Sequence, residues 1–249
     1  MRYPEYIALA VAIFAVSAYI AYEWYKLWRK INDMVKTPTS TIASVLNAPR
    51  SRGRMVEIKG TIVAGDPMLH SPYTDRDCVF YHSVKKDKIK DVSRDMGGKK
   101  RSHIRYQVAE EFRSDKLFYV EDRTGKIAID PLGLEIEGQQ VLNTEKACDV
   151  SPGNSLFGLF SPPPGDYYLA VLKEEHILPP KKRVYVIGEL YPGKKEPFIG
   201  APLEKTSTAL VSVKTEETII EEHKRKLYFH IFAWLLLVVA GFVFIGMAK

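Results

Sequence analysis

Cysteine is nearly missing from this 249-residue sequence: Cys78 and Cys148, seventy positions apart, are the only two. Two thiols rule out a disulfide framework and a structural zinc module, because each needs several cysteines at defined spacing. They fit a reducing compartment slightly better than an oxidising one. A phosphate-binding loop is missing as well. Gly97-Gly98-Lys99-Lys100-Arg101-Ser102 touches the pattern, but Ser93 stands where its first glycine belongs, and strand-like residues follow instead of a helix. No repeat period is visible. With 46% hydrophobic and 27% charged residues, the composition is that of a folded chain. The net charge of +6 is local: nine Lys/Arg stand against three Asp between Lys85 and Arg105, which leaves the remainder close to neutral. A generally nucleic-acid-binding composition is thereby excluded.

Hydrophobic length, in contrast, is abundant. Leu227–Ala248 is apolar throughout except for His230, and its 22 residues reach about 33 Å, enough to cross a bilayer core. Tyr6–Tyr22 is a second, shorter apolar run, followed by Trp24, Tyr25 and Trp28 as an aromatic belt. A cleaved signal peptide is disfavoured, since Arg2 is balanced by Glu5 and no small-residue cleavage site follows the run. Lys26, Arg29 and Lys30 follow the first run, and Lys224, Arg225 and Lys226 precede the second. The positive-inside rule then puts the middle of the chain in the cytoplasm and both short ends outside. The expected division is a transmembrane helix at 5–28, a cytoplasmic β-rich domain at 36–214, a helical lead-in capped by Thr215 at 215–226, and a second transmembrane helix at 227–248. The expected location is the cell membrane as a multi-pass protein, with an organelle membrane as the alternative.

Between the runs the apolar period changes to two. Val56, Ile58 and Ile62 alternate with Glu57, Lys59 and Thr61, as in a half-buried strand. Cys78–Lys85 and Ile104–Phe112 read as strands on either side of a basic hairpin tip centred on 96–99. Leu117–Val120 and Lys126–Ile129 flank a turn whose Gly125 is expected at positive φ. Tyr167–Lys173, Val184–Leu190 and Leu210–Val213 complete the set, and Val184–Leu190 is apolar on both faces and so expected to be central. The fold class is α+β, mainly β: a small β-barrel or sandwich-like soluble domain between two transmembrane helices.

The order of features resembles a known family. Ser71-Pro72 precedes Cys78-Val-Phe-Tyr81; Phe118 precedes Asp122-Arg-Thr-Gly125 and Ile129-Asp-Pro131; Lys173-Glu174-Glu175-His-Ile-Leu-Pro179 leads into Val184-Tyr-Val-Ile-Gly188. With a span at each end, over residues ~5–248, this resembles the GIDE-type, or beside-a-membrane, domain, best known from the mitochondrial ubiquitin ligase MULAN (MAPL) and present in prokaryotic proteins. A prokaryotic-type member is expected. Ser71, Pro72, Cys78, Tyr81, Asp122, Gly125, Pro131, Glu174, Glu175 and Gly188 are the family-like structural positions. The resemblance implies a membrane-side interaction or scaffold domain. In the ligase, transfer activity belongs to a RING that needs eight Cys/His zinc ligands after the second span, and two cysteines do not supply it. A RING-type transferase label is therefore expected to follow the family more than this sequence; the chain is read as non-enzymatic, with an E3 ubiquitin-protein transferase-like enzyme as the alternative.

No catalytic or metal-binding residue and no cofactor is nominated. Cys78 and His82, at i and i+4, offer a thiol and an imidazole, but nothing by spacing supplies the orienting third group, and a buried inert cysteine is the commoner case. Glu174-Glu175 and Glu110-Glu111 point to opposite faces of their strands, so neither pair shares a site. Lys85, Lys86, Lys88, Lys90, Arg94, Lys99, Lys100, Arg101 and Arg105 are candidate contacts for anionic lipid or a partner, against the plain reading of a solvated hairpin. Only Tyr106 supplies an aromatic near them, which makes nucleic acid the least favoured ligand. Leu156, Phe157, Leu159 and Phe160, in the Pro/Gly-rich stretch 151–166, are a candidate interfacial loop, with packing on the barrel preferred. The expected partners are the lipid bilayer and a membrane or cytoplasmic protein, and homo-oligomerisation is left open.

Overall fold

The computed structural model describes residues 4–47, 53–64, 67–94, 100–148, 165–193, 196–203 and 208–247. Helix α1 (Pro4–Lys36) is followed by the short α2 (Ile42–Asn47), and then by strands β1 (Met55–Ile62), β2 (Leu69–His70), β3 (Asp77–Cys78), β4 (Phe80–Arg94) and β5 (Lys100–Arg113). Next come β6 (Phe118–Asp122), β7 (Gly125–Ile129), β8 (Glu135–Glu137), β9 (Gln139–Ala147) and β10 (Gly165–Leu178). The chain continues through β11 (Arg183–Tyr191), β12 (Phe198–Gly200) and β13 (Leu210–Ser212) into helix α3 (Glu216–Met247).

Five strands close a barrel in the order β1-β6-β7-β12-β11, with β11 pairing back onto β1. The closure answers the expectation of a barrel or a sandwich in favour of the barrel. The β6–β7 hairpin and the β1–β11 and β11–β12 pairs are antiparallel, whereas β7 and β12 run parallel. β13 takes the remaining part of the β11 edge and carries β8 beside it. Val184 and Val186 on β11 belong to the barrel core together with Ile58, Val120 and Ile129. Tyr185 and Ile187, on its opposite face, pack with Met34 of α1 and Ile219 of α3. The apolar run Val184–Ile187 in β11 thus has a cause: one face fills the barrel and the other seats the helices.

Strands β4 and β10 are too long for the barrel. Their Phe80–Leu178 pair is buried in its core, and from there they run side by side as far as Val92 and Gly165. That distance is about 40 Å at 3.3 Å per residue. With β5 and β9 outside them they form a four-stranded arm, β5-β4-β10-β9. β4 and β5 pair from His82↔Arg113 to Arg94↔Lys100, so the basic stretch does form a long hairpin. Its tip, 95–99 with Lys99, and the candidate loop residues Leu156, Phe157, Leu159 and Phe160 lie outside the described residues.

Helices α1 and α3, 33 and 32 residues long, reach about 50 Å each, well beyond a bilayer core. Each carries a window long and apolar enough to cross a membrane, of which only 11% and 6% is buried. A core helix of a soluble domain would be mostly covered. The two run antiparallel, with Phe14 edge-on to Phe242 at 5.6 Å and Tyr6 stacked near Phe244 at 6.3 Å.

Two local readings are corrected. Gly125 is not at positive φ, which among the described glycines belongs to Gly53, Gly133 and Gly193. The turn is held instead by the Asp122 carboxylate, which accepts from Thr124 N at 2.7 Å and Gly125 N at 3.0 Å. Its other oxygen accepts from Ile42 N at 2.9 Å, capping α2 from across the fold. Glu57, expected on a wet face, is only 1% exposed.

Candidate functional site

The arm carries the exposed chemistry. Ile104, Tyr106 and Val108 of β5 stand opposite Lys90, Lys88 and Lys86 of β4, so they share one face of the sheet. Each of the three is more than half exposed. β5 is the last strand of its sheet, and its outer edge has no partner strand among the described residues. An exposed edge with alternating apolar side chains is the kind of surface that a partner strand or a membrane face covers.

The basic residues divide into two groups. Lys85 pairs with Glu110 at 2.7 Å, Lys86 with Glu174 at 2.8 Å, and Lys88 with Glu145 at 2.7 Å. Those contacts make a ladder that ties β5, β4, β10 and β9 together, and Lys88 also lies 5.9 Å over the Tyr106 ring. Such half-exposed pairs contribute little stability each, but they occupy three of the lysines nominated for lipid. Lys90, Arg94, Lys100, Arg101 and Arg105 lie on the outer half of the arm, Arg105 donating to Gln107 at 3.0 Å. Sequence reasoning missed the ladder because Glu145 and Glu174 come from strands far along the chain. Strand β9 was also missed, since most of its residues are polar and it shows no period-two burial.

Ser71, Cys78, Glu174 and Glu175, four of the family-like positions, lie at the arm's root. Glu175 is fully buried, and its carboxylate accepts from Tyr73 N at 2.8 Å, Thr74 N at 3.0 Å, Ser71 Oγ at 2.9 Å and Ser83 Oγ at 2.8 Å, and also from Thr74 Oγ1. Burial pushes this carboxyl up, but donation from Thr74, Tyr73, Ser83 and Ser71 outweighs it and holds the group below its ordinary value. Glu175 therefore stays ionised and fastens the loop that begins at Ser71-Pro72 onto β10. Glu174, its neighbour, faces the other side, bound to Lys86 as described. Cys78 is buried beside this loop, its thiol pushed up to about 11 by burial and by the charges of Glu175 and Asp77. His82 lies past a bend at Val79, on a different strand from Cys78, with Nε2 2.8 Å from Glu111. The pair makes no nucleophile: the thiol is protonated at neutral pH and the imidazole is engaged elsewhere. Among the described residues no group of three His, Cys, Asp or Glu side chains could hold a metal ion.

A second buried carboxylate works in the opposite sense. Glu57 accepts from Tyr185 Oη at 2.8 Å and from Thr39 Oγ1, where the linker after α1 meets the barrel. Burial pushes its carboxyl above the ordinary value despite those two donors. A raised folded-state value means that the native state holds its proton more tightly than the unfolded chain does. Its contribution to stability is therefore full below the ordinary Glu value and is lost as pH rises through the raised one. Thermal midpoints measured from about pH 4 to about pH 8 should decline less steeply for Glu57→Gln than for the native chain. An unchanged slope would exclude Glu57 as its source.

A family model described as GIDE, E3 ubiquitin ligase, matches residues 89–245. The chain belongs to the GIDE family. The match begins within β4 and takes in most of the arm, four of the five barrel strands and nearly all of α3. Asp122, Gly125, Pro131, Glu174, Glu175 and Gly188 fall inside it, whereas Ser71, Pro72, Cys78 and Tyr81 precede it. No curated protein and no solved structure matches the chain. This GIDE domain is thus a membrane-associated, ligase-related barrel bearing an arm.

Proposed function

We propose that this GIDE-family chain is a membrane-anchored interaction platform whose arm captures a protein partner beside the bilayer. The observation that carries the reading is the outer edge of β5, with Ile104, Tyr106 and Val108 exposed along it. The barrel sits on the cytoplasmic side in this reading, supported by Lys26, Arg29 and Lys30 after the first span and Lys224, Arg225 and Lys226 before the second. A partner strand added to the edge would gain main-chain hydrogen bonds, and its side chains would read the apolar stripe. The basic residues of the outer arm would then steer an acidic partner or meet anionic lipid.

The test places a photo-crosslinking residue at Tyr106 in the full chain in its native membrane, and a second at Leu132, which is 62% exposed on a barrel loop. A discrete protein adduct at 106 and none at 132 is expected. Equal adducts at both positions, or none at 106, would overturn the assignment. The family description favours a second reading, participation in ubiquitin transfer. Purified chain supplied with ubiquitin and its activating and conjugating enzymes discriminates between them. Conjugate formation that survives Cys78→Ala would favour the transferase reading over a passive platform.

A further inference from the structure

Where the two helices leave their apolar spans, they and the barrel enclose a groove of about 940 Å³. Its walls come from residues 22–30 of α1 and 223–230 of α3, and its floor includes Glu135, Ala201 and Thr208 of the barrel side. The antiparallel register set by Phe14–Phe242 brings the ends of both spans to one level. That level is where lipid headgroups lie when the spans cross a bilayer.

The groove is cationic beyond what its own carboxylates neutralise. Lys26, Arg29, Lys30 and Lys226 line it, against Glu23 and Glu135. Lys26 is taken by Glu23 at 3.2 Å and Lys30 by Glu135 at 2.6 Å. Arg29 and Lys226, one from each helix, have no carboxylate within ion-pair distance among the described residues. His223 and His230 also line the groove; each spends Nδ1 on its own helix, at Ile219 O and Lys226 O, both at 2.7 Å. A carbonyl only accepts, so these nitrogens carry the proton and the rings add no charge in their neutral form. Tyr22 and Tyr25 complete the wall with rings that suit the interface.

We propose that this groove holds the phosphate of one anionic phospholipid between Arg29 and Lys226, with its acyl chains running down the seam between α1 and α3. Orientation alone would need the positive charges only near the spans, on any side of the helices. Here two cations from different helices line one cavity at headgroup depth, which is the arrangement of a built anion site. Neither makes an ion pair among the described residues, and the carboxylate nearest Lys226 along its helix, Glu222, is already paired with Lys214 at 2.7 Å. A lipid is the fitting source because the groove's lining reaches both apolar runs, at Tyr22 and His230, where a free phosphate has nothing to bury.

The full chain, purified in neutral detergent and exposed to phosphatidylglycerol or phosphatidylcholine, is read by native mass spectrometry for retained lipid. The expected result is one phosphatidylglycerol per chain, preferred over phosphatidylcholine. Arg29→Gln with Lys226→Gln should weaken its retention about thirty-fold, since each basic residue near an anionic surface is worth roughly a factor of five. Lys224→Gln with Arg225→Gln removes the same charge from exposed positions on the same turn that do not line the groove, and should leave retention unchanged. Arg29→Lys with Lys226→Arg should restore it, which separates charge from folding. Equal weakening in both Gln pairs would overturn the site in favour of diffuse attraction. Displacement of the lipid by inorganic phosphate at matched concentration would overturn the lipid assignment.

Discussion

Glu175→Ala is expected to destabilise the chain by about 3–5 kcal/mol, the cost of removing a buried charged acceptor. Its carboxylate serves five donors from Ser71, Tyr73, Thr74 and Ser83. The hydroxyls have somewhere to turn, since Ser71 Oγ and Thr74 Oγ1 are already 2.9 Å apart. The backbone N–H groups of Tyr73 and Thr74 do not. Two orphaned amides at ~1–3 kcal/mol each account for most of the loss. Glu175→Gln keeps the volume and one acceptor oxygen, but its NH₂ must face donors, so about 2–3 kcal/mol is expected. Cys78 provides a local readout. It is fully buried beside the loop, and loosening of 71–77 should raise its rate of thiol labelling before the barrel melts. The acid limb gives a second check. Because the folded-state Glu175 is held below its ordinary value, its contribution is present above that value and disappears as pH falls through the depressed one. Glu175→Gln should flatten that limb. A Glu175→Ala chain with unchanged melting and unchanged Cys78 labelling would refute the anchoring role.

The parts of this fold that could be read from sequence are those in which a residue's neighbours along the chain report its surroundings. The two apolar runs announce spans because a bilayer demands length and uniformity from one contiguous segment. β1, β4, β7 and β11 announced themselves through aromatic and β-branched residues, and Val184–Leu190 was legible as central because both its faces are filled. Period-two logic failed where burial is polar. Glu57 and Glu175 look like solvent-facing residues of their strands, yet their partners Tyr185, Thr39, Ser71 and Thr74 come from distant positions. Ile104, Tyr106 and Val108 failed in the reverse direction, since the alternation of a covered strand occurs here on an exposed edge. The groove was illegible for a related reason. Lys26, Arg29, Lys30 and Lys226 were visible as flanking charge, but which of them are neutralised depends on Glu135, far away on β8.

Gly188→Val is expected to cost about 3 kcal/mol or more, whereas Gly125→Ala should change stability by less than about 0.5 kcal/mol. Both glycines belong to the family-like set, and the sequence treats them alike. The structure separates them by what a side chain would meet. A Cβ at Gly188 would stand 2.7 Å from Ile199 Cγ2 and 2.8 Å from the carbonyl oxygen of Gly200. The second contact is backbone, so no rotamer change relieves it, and β12 would have to move away from β11. That movement would loosen the Glu189↔Gly200 and Leu190↔Ile199 pairs through which β12 joins the barrel. A Cβ at Gly125 would meet Ile42 Cγ2 at 3.4 Å, an ordinary contact, and the backbone there is not at positive φ. Chemical unfolding of the purified chain, followed by tyrosine fluorescence and by the strand signal in circular dichroism, measures both changes. The barrel's closure depends on β12 bridging β7 to β11, so Gly188→Val should also raise protease cleavage around 196–203 while leaving the Asp122 turn protected. A tolerated Gly188→Val, or a severe Gly125→Ala, would mean that the glycine requirement lies in the turn after all and not in the strand crossing.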